Sequence, residues 1–480
     1  MSLAKALGAF VIGCALAAPA TAQLKLPDIG DVSRGTFNNQ DERQLADAFL
    51  REIQRHLTLV KDPEIIRYVR RVGARLAASS EDSSQSFRFY AIAENTINAF
   101  AGPGGIIGVN TGLLLAARTE SEFAAVVAHE IAHITQKHLA RAIESADKFS
   151  LPALAGIFAA LVLASQNAQA GQAALTGIVA SQAQRSIDFT RSNEEEADRV
   201  GIDILARAGF DPRAVPEFFQ ELQRANRFYP EPPEFLSTHP VTAKRVSDSQ
   251  ARAEQYPYRQ YADSLEFLLV RAKLQAVAPA QAQDAVRRFE KNLKAGQVRN
   301  RSAAKYGYSV ALIRAKRFAD AAKVLNELLR EDPERINYLS ALAHCQVELG
   351  NNEKAYRIYR DALRIYPNDL ALTPAYAQAL FNDNRPEEAL RVLQRFKKYQ
   401  EFTATHYELL ARVHSRLGDP FSANVANAES HYLNGDLRSA IHALGTALRD
   451  RAPNEQAISR IEARLGLFET EQEQRNQRKR

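Results

Sequence analysis

Two histidines and a glutamate lie close together in the sequence His129-Glu130-Ile131-Ala132-His133. Four residues of a helix turn through about 400°, so the two imidazoles would project from one face about 40° apart. That spacing lets both rings reach one metal ion. Glu130 follows the first histidine directly and could act as the general base on a water molecule beside the metal. The pattern is typical of zinc hydrolases.

The residues around this motif favour a helix. Residues 122–129 contain neither glycine nor proline, and Ala140–Ile143 would continue the helix beyond the motif. His138 would then lie on the opposite face from His129, because nine residues turn through about 900°. We therefore expect His138 to be solvated, or to contact a metal ligand, rather than to bind the metal.

A catalytic zinc site needs a third protein ligand and an open position for water. The metzincin pattern would need glycine at position 136 and histidine at 139, whereas this chain has Gln136 and Leu139. A better candidate is the acidic segment that begins at Asn193. Glu194 and Asp198 are four residues apart and would share a helix face. Glu194 could bind the metal, while Asp198 hydrogen-bonds a ligating histidine or a reaction intermediate. The alternative is an ordinary acidic first turn of a helix.

Four sequence segments, taken together, resemble the M48 family of zinc metallopeptidases over about residues 40–255. They are Asn98–Leu113, His129–His133, Asn193–Asp198, and Ser237–Pro240 with Arg245 after it. The resemblance implies that His129, His133 and Glu194 bind one Zn²⁺ ion per chain. Glu130 and Asp198 would be the catalytic residues.

The resemblance also implies roles for two less distinctive segments. Asn98, Ala99 and Phe100 would form the edge strand that pairs with an extended peptide substrate. Without the resemblance they indicate only an edge strand before a glycine-rich turn. His239 would stabilise the oxyanion or, as a fourth ligand, restrain a resting enzyme. The alternative for a histidine before proline is a loop or helix-cap residue.

The N-terminus has the features of a cleavable export signal. A lysine precedes an apolar run that ends at Ala18, and a small-residue cleavage site ends at Ala22. This predicts a signal peptide over residues 1–22 and a periplasmic location. A lipoprotein site at Cys14 is the less favoured alternative, because the apolar stretch before it is short. After cleavage Cys345 would be the one cysteine, which precludes an intrachain disulfide.

Residues 151–187 are a hydrophobic insert between the zinc motif and the third predicted ligand. Its apolar run, Leu151–Ala164, is shorter than the roughly 20 residues that cross a bilayer. We expect a buried helical hairpin. The alternative is a mobile lid, or a surface for peripheral contact with a membrane or an unfolded client. The formal net charge of +6 over 480 residues does not indicate a nucleic-acid partner.

The second half of the chain is repetitive. A spacing of 34 residues separates members of two sets, Ala321, Ala355 and Ala389, and Pro333 and Pro367. A 34-residue period with small residues where paired helices cross is the tetratricopeptide signature, although the consensus tryptophan is absent. Such helix pairs stack into a solenoid with a concave binding surface.

The predicted fold is mainly α and has two parts. An α+β zincin-like metallopeptidase domain with a small β-hairpin or sheet would cover residues 23–260. An all-α tetratricopeptide solenoid would follow over 265–465, with a charged tail over 466–480.

Among M48 peptidases, this arrangement implies a periplasmic zinc endopeptidase for the quality control of outer-membrane proteins. It would degrade unfolded or misassembled clients and use the repeats as a docking platform, including for the β-barrel assembly machinery. The alternatives are a chaperone or assembly scaffold with little proteolytic activity, and a zinc hydrolase of the cell wall.

Overall fold

The computed structural model describes six ranges of the chain: residues 39–81, 85–145, 183–228, 234–400, 402–450 and 454–477. The predicted signal peptide and nearly all of the predicted insert over 151–187 lie outside them. No helix within these ranges has the length and apolar character needed to cross a membrane.

Within the described residues, three short strands form a single sheet. They are β1 (Arg88–Ile92), β2 (Ala99–Gly102) and β3 (Ile106–Asn110). The central strand β3 is parallel to β1 and antiparallel to β2, so β2 is an edge strand. A 3₁₀ turn at Pro103–Gly105 joins β2 to β3. Gly105 has a φ of 71°, which favours glycine, and a Cβ there would lie 1.8 Å from the Ser86 carbonyl oxygen. The predicted small sheet is confirmed.

Helices cover both faces of this sheet. The helices of the peptidase half are α1 (Asn39–His56), α2 (Pro63–Ala77), α3 (Thr111–Ala116), α4 (Glu120–Thr135), α5 (His138–Ser145), α6 (Ala183–Arg207), α7 (Ala214–Phe228), α8 (Phe235–Thr238) and α9 (Ala243–Ala253). Successive strand residues point to opposite faces. Ile106 therefore packs with the apolar residues of α1, and Ile107 packs with those of α2 and α4.

Helix α4 is central to the peptidase half. Thr119 caps its N-terminus by accepting a hydrogen bond from the Glu122 backbone N–H. Every residue from Glu120 to Ala132 is buried, mostly as small or β-branched apolar side chains. A helix that is apolar all round must pack on several sides, and α4 contacts α2, α6, α7 and β2.

The predicted continuous helix through His138 is wrong. α4 ends at Thr135, and Lys137 has a φ of 55°, a left-handed conformation that stops a helix. α5 then begins at His138 in a new direction. The imidazole of His138 consequently lies beside His133, with the two Nδ1 atoms 2.8 Å apart, rather than on the opposite face.

The second half consists of paired antiparallel helices. They are α10 (Leu265–Val277), α11 (Ala282–Lys294), α12 (Arg301–Arg314), α13 (Phe318–Glu331), α14 (Ile336–Glu348), α15 (Asn352–Ile365), α16 (Leu372–Asn382), α17 (Pro386–Lys397), α18 (Ala404–Arg416), α19 (Pro420–Leu433), α20 (Leu437–Ala447) and α21 (Glu455–Gln477). α13, α15, α17 and α19 begin at residues 318, 352, 386 and 420, so their starts are 34 residues apart. Ala321, Ala355 and Ala389 are each 0% exposed. The predicted tetratricopeptide solenoid is confirmed.

Two features of the structure bear on where the two halves end. Helix α21 continues to Gln477, and Phe468 is buried against Tyr432 with ring centroids 4.4 Å apart. Residues 466–477 therefore belong to the last helix, because Phe468 anchors it despite the charged residues around it. At the other end, α10 is shared by both halves: Phe267, Val270 and Leu274 are part of the peptidase core.

A buried polar cluster joins α2 to the repeats. One oxygen of Glu64 accepts hydrogen bonds from the Tyr306 hydroxyl (2.7 Å) and the Asn337 amide (2.8 Å). The other lies 3.2 Å from Lys273 Nζ, which also pairs with Asp62 at 2.7 Å. Buried charges are tolerated only when they are paired and hydrogen-bonded. The first repeats therefore bind a helix of their own peptidase half.

We expect Glu64→Ala to destabilise the protein strongly, because it leaves Lys273 and two polar groups buried with fewer partners. Removing one member of a buried pair costs about 3–5 kcal/mol. Tyr306→Phe removes a single hydrogen bond to a charged group and should cost about 1.5–3 kcal/mol. Denaturant unfolding measures both. Lys294→Ala, which breaks an exposed pair with Glu290, is the control and should change little. A Glu64→Ala protein as stable as this control would contradict the interpretation.

Candidate metal centre

Four side chains from three elements converge on one point. His129 and His133 come from α4, Glu194 from α6, and His239 from the residue after α8, and each contributes one donor atom to a group within 4.8 Å. The Nε2 atoms of His129 and His133 are 3.0 Å apart. His239 Nδ1 lies 3.4 Å from His129 Nε2 and 2.9 Å from Glu194 Oε1. The structure thus brings together the predicted ligands and the predicted restraint residue.

The spacing of these donors fits a tetrahedral metal ion. The carboxylate of Glu194 lies 3.3 Å from Nε2 of both His129 and His133. A tetrahedral site with bonds of about 2.0 Å has ligand–ligand edges of about 3.3 Å. Imidazole nitrogen and carboxylate oxygen are ligands that zinc accepts. His239 Nδ1 is the fourth possible donor of this group.

Asp198 and Arg245 lie behind the first histidine. Asp198 Oδ1 is 3.0 Å from His129 Nδ1, the ring nitrogen that faces away from the other donors. Arg245 donates to both oxygens of Asp198, at 2.7 and 2.8 Å, and its Nη1 lies 3.0 Å from Glu194. The same Nη1 donates to the Pro240 carbonyl at 2.8 Å. Arg245 is 3% exposed, so it holds together two acidic side chains and the segment that carries His239.

A glycine lets the two helices approach closely enough for these contacts. Gly201 lies on α6, and a Cβ there would be 3.3 Å from the Cα and backbone nitrogen of His129. This contact is tighter than a side chain normally accepts, and α4 and α6 would have to move apart. The placement of Glu194 and Asp198 against His129 therefore requires glycine at position 201, about one turn beyond Asp198.

His239 is held by contacts on both sides of its ring. Phe235 stacks on it with centroids 4.7 Å apart. The backbone N–H of Phe235 donates to the Ile97 carbonyl at 3.1 Å, which ties α8 to the loop before β2. While Nδ1 of His239 faces Glu194, its Nε2 lies 3.4 Å from Glu130 Oε1. One ring therefore contacts both the donor group and the predicted base.

Glu130 is buried beside the edge strand. Burial raises the pKa of its carboxyl above the usual range, although His239 and His129 lower it and the backbone N–H of Ala101 hydrogen-bonds to it. Glu130 Oε1 is buried and has no hydrogen-bond partner in the described part of the chain. This carboxylate lies beside the donor group, and an oxygen that accepts no hydrogen bond is suited to accept a proton.

The residues predicted as substrate edge strand lie next to this carboxylate. The Asn110 N–H donates to the Asn98 carbonyl across the hairpin, and bonded and non-bonded pairs alternate along an antiparallel ladder. The backbone groups of Ala99 and Ala101 therefore point to the outer edge of β2. Phe100 is directed elsewhere, since its ring packs against Phe49 at 5.9 Å. A peptide at this edge would bind through main-chain atoms.

The two motif histidines have opposite electrostatic environments. Burial lowers the pKa of His133 to about 3, despite its contact with Glu194, so its imidazole is neutral as a metal ligand must be. For His129, the effect of burial is outweighed by Asp198 and Glu194, which raise its pKa to about 10. Against the effect of burial, His239, His129 and His133 hold the pKa of the Glu194 carboxyl well below its usual range.

The sequence did not signal one contact and one turn. The contact of Arg245 with Asp198 joins residues 47 positions apart, and no local pattern signals it. For His138, the expected alternative of contact with a metal ligand is observed, with His133. The turn that brings it there was not predicted, because the left-handed residue is a lysine and not a glycine.

Comparison with known proteins agrees with this architecture. The sequence profile of "Peptidase family M48" matches residues 64–253. That of "Tetratricopeptide repeat" matches residues 276–345 and 346–413. The first match contains all four donor residues, and the second covers most of the paired helices.

Two relatives of known name match over most of the chain, and a third matches over part of it. The beta-barrel assembly-enhancing protease of Yersinia pestis is 34% identical over 428 residues, covering 89% of this chain and 88% of the relative. That of Escherichia coli K12 is 32% identical, covering 98% and 96%. The mitochondrial metalloendopeptidase OMA1 of Schizosaccharomyces pombe is 32% identical over 180 residues, covering 37% and 50%. The chain is therefore a metallopeptidase that belongs to peptidase family M48, among the members that carry tetratricopeptide repeats.

Proposed function

We propose that this chain is a periplasmic zinc endopeptidase that degrades unfolded or misassembled outer-membrane proteins. The observation that carries the proposal is the donor set of His129, His133 and Glu194 at tetrahedral spacing, with the buried base Glu130 beside it. The client class rests on the names of the Yersinia and Escherichia relatives, which refer to β-barrel assembly. The repeats would serve as the docking platform for clients and for the barrel-assembly machinery.

Zinc would be held by His129 Nε2, His133 Nε2 and the Glu194 carboxylate. When bound, it would polarise the scissile carbonyl and lower the pKa of water toward about 7. Glu130 would take the proton from the attacking water and pass it to the leaving amine. Asp198, fixed by Arg245, would orient His129 through its Nδ1.

The edge of β2 would orient the substrate. An extended peptide would add to this edge, as in β-strand addition. It would have to uncover Ala99, which is 0% exposed here, and take the Ala101 N–H from Glu130. Asn98 could help to orient the peptide, because its buried side-chain oxygen Oδ1 accepts no hydrogen bond among the described residues. Recognition through main-chain atoms suits a protease whose clients share an unfolded state rather than a sequence.

His239 would restrain the resting enzyme. Its Nδ1 occupies the fourth donor position, while its Nε2 lies against Glu130. A substrate and a water molecule both need this space, so the segment from Phe235 to Pro240 would have to move before cleavage. Peripheral membrane contact through residues 151–187 remains a prediction from sequence, since that segment lies outside the described residues.

We expect Glu130→Gln to abolish most cleavage of an unfolded outer-membrane protein while leaving zinc bound. Loss of a general base typically lowers the rate by about 10²–10⁴-fold. Cleavage assays and zinc analysis on one preparation measure both effects. Full rescue of an outer-membrane assembly defect by this variant would instead favour a scaffold. Cleavage of peptidoglycan fragments, but not of unfolded protein, would favour a cell-wall hydrolase.

Glu194→Ala should remove the bound metal, because two histidines alone rarely hold zinc and His239 is not fixed without its carboxylate partner. Zinc content per chain, measured after dialysis, should fall from one in the wild type to nearly none. Glu195→Ala is the matched control, since Glu195 neighbours Glu194 but pairs with the exposed Lys244. Unchanged zinc in Glu194→Ala would refute the ligand assignment.

His239→Ala should increase cleavage of a model client and retain zinc. The rate would rise about tenfold if the contacts of His239 increase the free-energy barrier to cleavage by about 1.4 kcal/mol. Initial rates at equal zinc occupancy provide the comparison, and Lys244→Ala, five residues along the chain, is the control. A rate that stays the same or falls to zero would disprove the restraint.

A further inference from the structure

His138 and Glu196 extend the contacts of the metal centre away from the donor group. His138 Nδ1 lies 2.8 Å from His133 Nδ1, and its Nε2 lies 3.1 Å from Glu196 Oε2. Arg141 donates to the same oxygen at 2.7 Å. His138 is 5% exposed. Within the described residues, His138, Glu196 and Arg141 do not contact the four donor atoms, and the proposed hydrolysis does not use them.

The proton positions in this chain of contacts are determined by the metal. A histidine that binds zinc through Nε2 must be neutral and carry its proton on Nδ1. His133 Nδ1 must therefore donate, and His138 Nδ1 must accept at 2.8 Å. A neutral His138 then has its proton on Nε2, where it donates to the Glu196 carboxylate. Each contact has one donor and one acceptor, which is the only arrangement without a clash of protons or of lone pairs.

We propose that His138 and Glu196 are positioning residues that fix the tautomer and the ring plane of His133 for metal binding. The inference rests on the proposed zinc-binding role of His133. Glu196 acts through His138: its negative charge favours the Nε2–H tautomer of His138, and that tautomer presents an acceptor to His133. Arg141 keeps the carboxylate in place.

The first motif histidine supports this interpretation. His129 has a carboxylate, Asp198, directly behind its Nδ1 at 3.0 Å. His133 has no carboxylate at Nδ1 among the described residues, and His138 fills that position. Glu196 and Asp198 come from the same turn of α6 that provides Glu194. This part of α6 thus supplies the ligand Glu194 and a carboxylate partner for each motif histidine. Asp198 contacts His129 directly, and Glu196 reaches His133 through the imidazole of His138.

The backbone turn before His138 brings its side chain to His133. Lys137 adopts a left-handed φ of 55°, which is unfavourable for a residue with a side chain. That single residue turns the chain so that α5 starts with its first side chain against His133. A continuous helix would have carried His138 to the opposite face and left Nδ1 of His133 without this partner.

The test is the zinc affinity of metal-free protein, measured by competition with a chromophoric chelator. We expect His138→Ala to weaken zinc binding about 10–100-fold, the usual effect of losing such a partner. Glu196→Ala should weaken it by a smaller factor. Because Glu196 acts through His138, the double variant should bind zinc no more weakly than His138→Ala alone. Glu195→Ala, which removes a neighbouring, partly exposed glutamate that pairs with Lys244, should leave zinc affinity as in the wild type.

Two further readouts separate positioning from a structural role. In the zinc-loaded wild type, the ¹⁵N chemical shifts of His133 should show that Nδ1 is protonated. The chemical shift of this nitrogen should change in both variants. The thermal unfolding of the metal-free proteins should change less than the zinc affinity. If His138→Ala does not fold, Glu196→Ala carries the test, because that carboxylate is 28% exposed. An unchanged affinity and unchanged His133 shifts in a folded variant would overturn the proposal, as would additive losses in the double variant.

Failure of the proposed function gives a different result. If wild-type protein does not bind zinc, or if Glu194→Ala binds it equally well, the ligand assignment fails whatever His138 does. If the wild type binds zinc and Glu194→Ala does not, the affinities of the His138 and Glu196 variants judge the positioning role alone.

Discussion

The peptidase half depends on a concentration of negative charge that is buried and must be neutralised. Glu194 and Asp198 are both about 5% exposed on one turn of α6, directly against α4. Carboxylates cannot remain ionised in such a place without partners. Arg245 and the motif histidines supply them, and a metal ion would supply the rest. The packing of α4, α6 and α9 thus follows from one electrostatic requirement, and Gly201 permits it sterically.

The need to neutralise these buried carboxylates also fixes the surroundings of the donor group. The motif histidines lie on the central helix of the peptidase core; His129 is buried and His133 partly exposed, and the packing of α4 fixes the backbone of both. His239 comes from a different element, and it is held by stacking on Phe235 and by a hydrogen bond from Arg245 to the Pro240 carbonyl. Arg245 thus contacts both the segment of His239 and the two carboxylates of α6.

The spacing of residues along the sequence predicted those pairs of side chains that lie on the same face of one helix. Residues four apart share a helix face, so His129 with His133, and Glu194 with Asp198, could be paired without knowledge of the fold. The 34-residue period likewise predicted the paired helices. The sequence did not predict the turn at Lys137, because no glycine marks it, or the contacts of Arg245, because they are long-range. The charged residues near the C-terminus also concealed Phe468, whose burial extends the last helix.

The shared helix α10 has a consequence for biosynthesis. Phe267, Val270 and Leu274 complete the core around α2 and α4, yet they follow every residue of the donor group in the chain. A nascent chain that has emerged only as far as His239 therefore still exposes part of this core to water. Since domains generally fold as units during synthesis, the catalytic half reaches its final packing only after α10 has been made. The order of the two halves in the chain thus delays the assembly of the hydrolytic site until synthesis of the repeat half has begun.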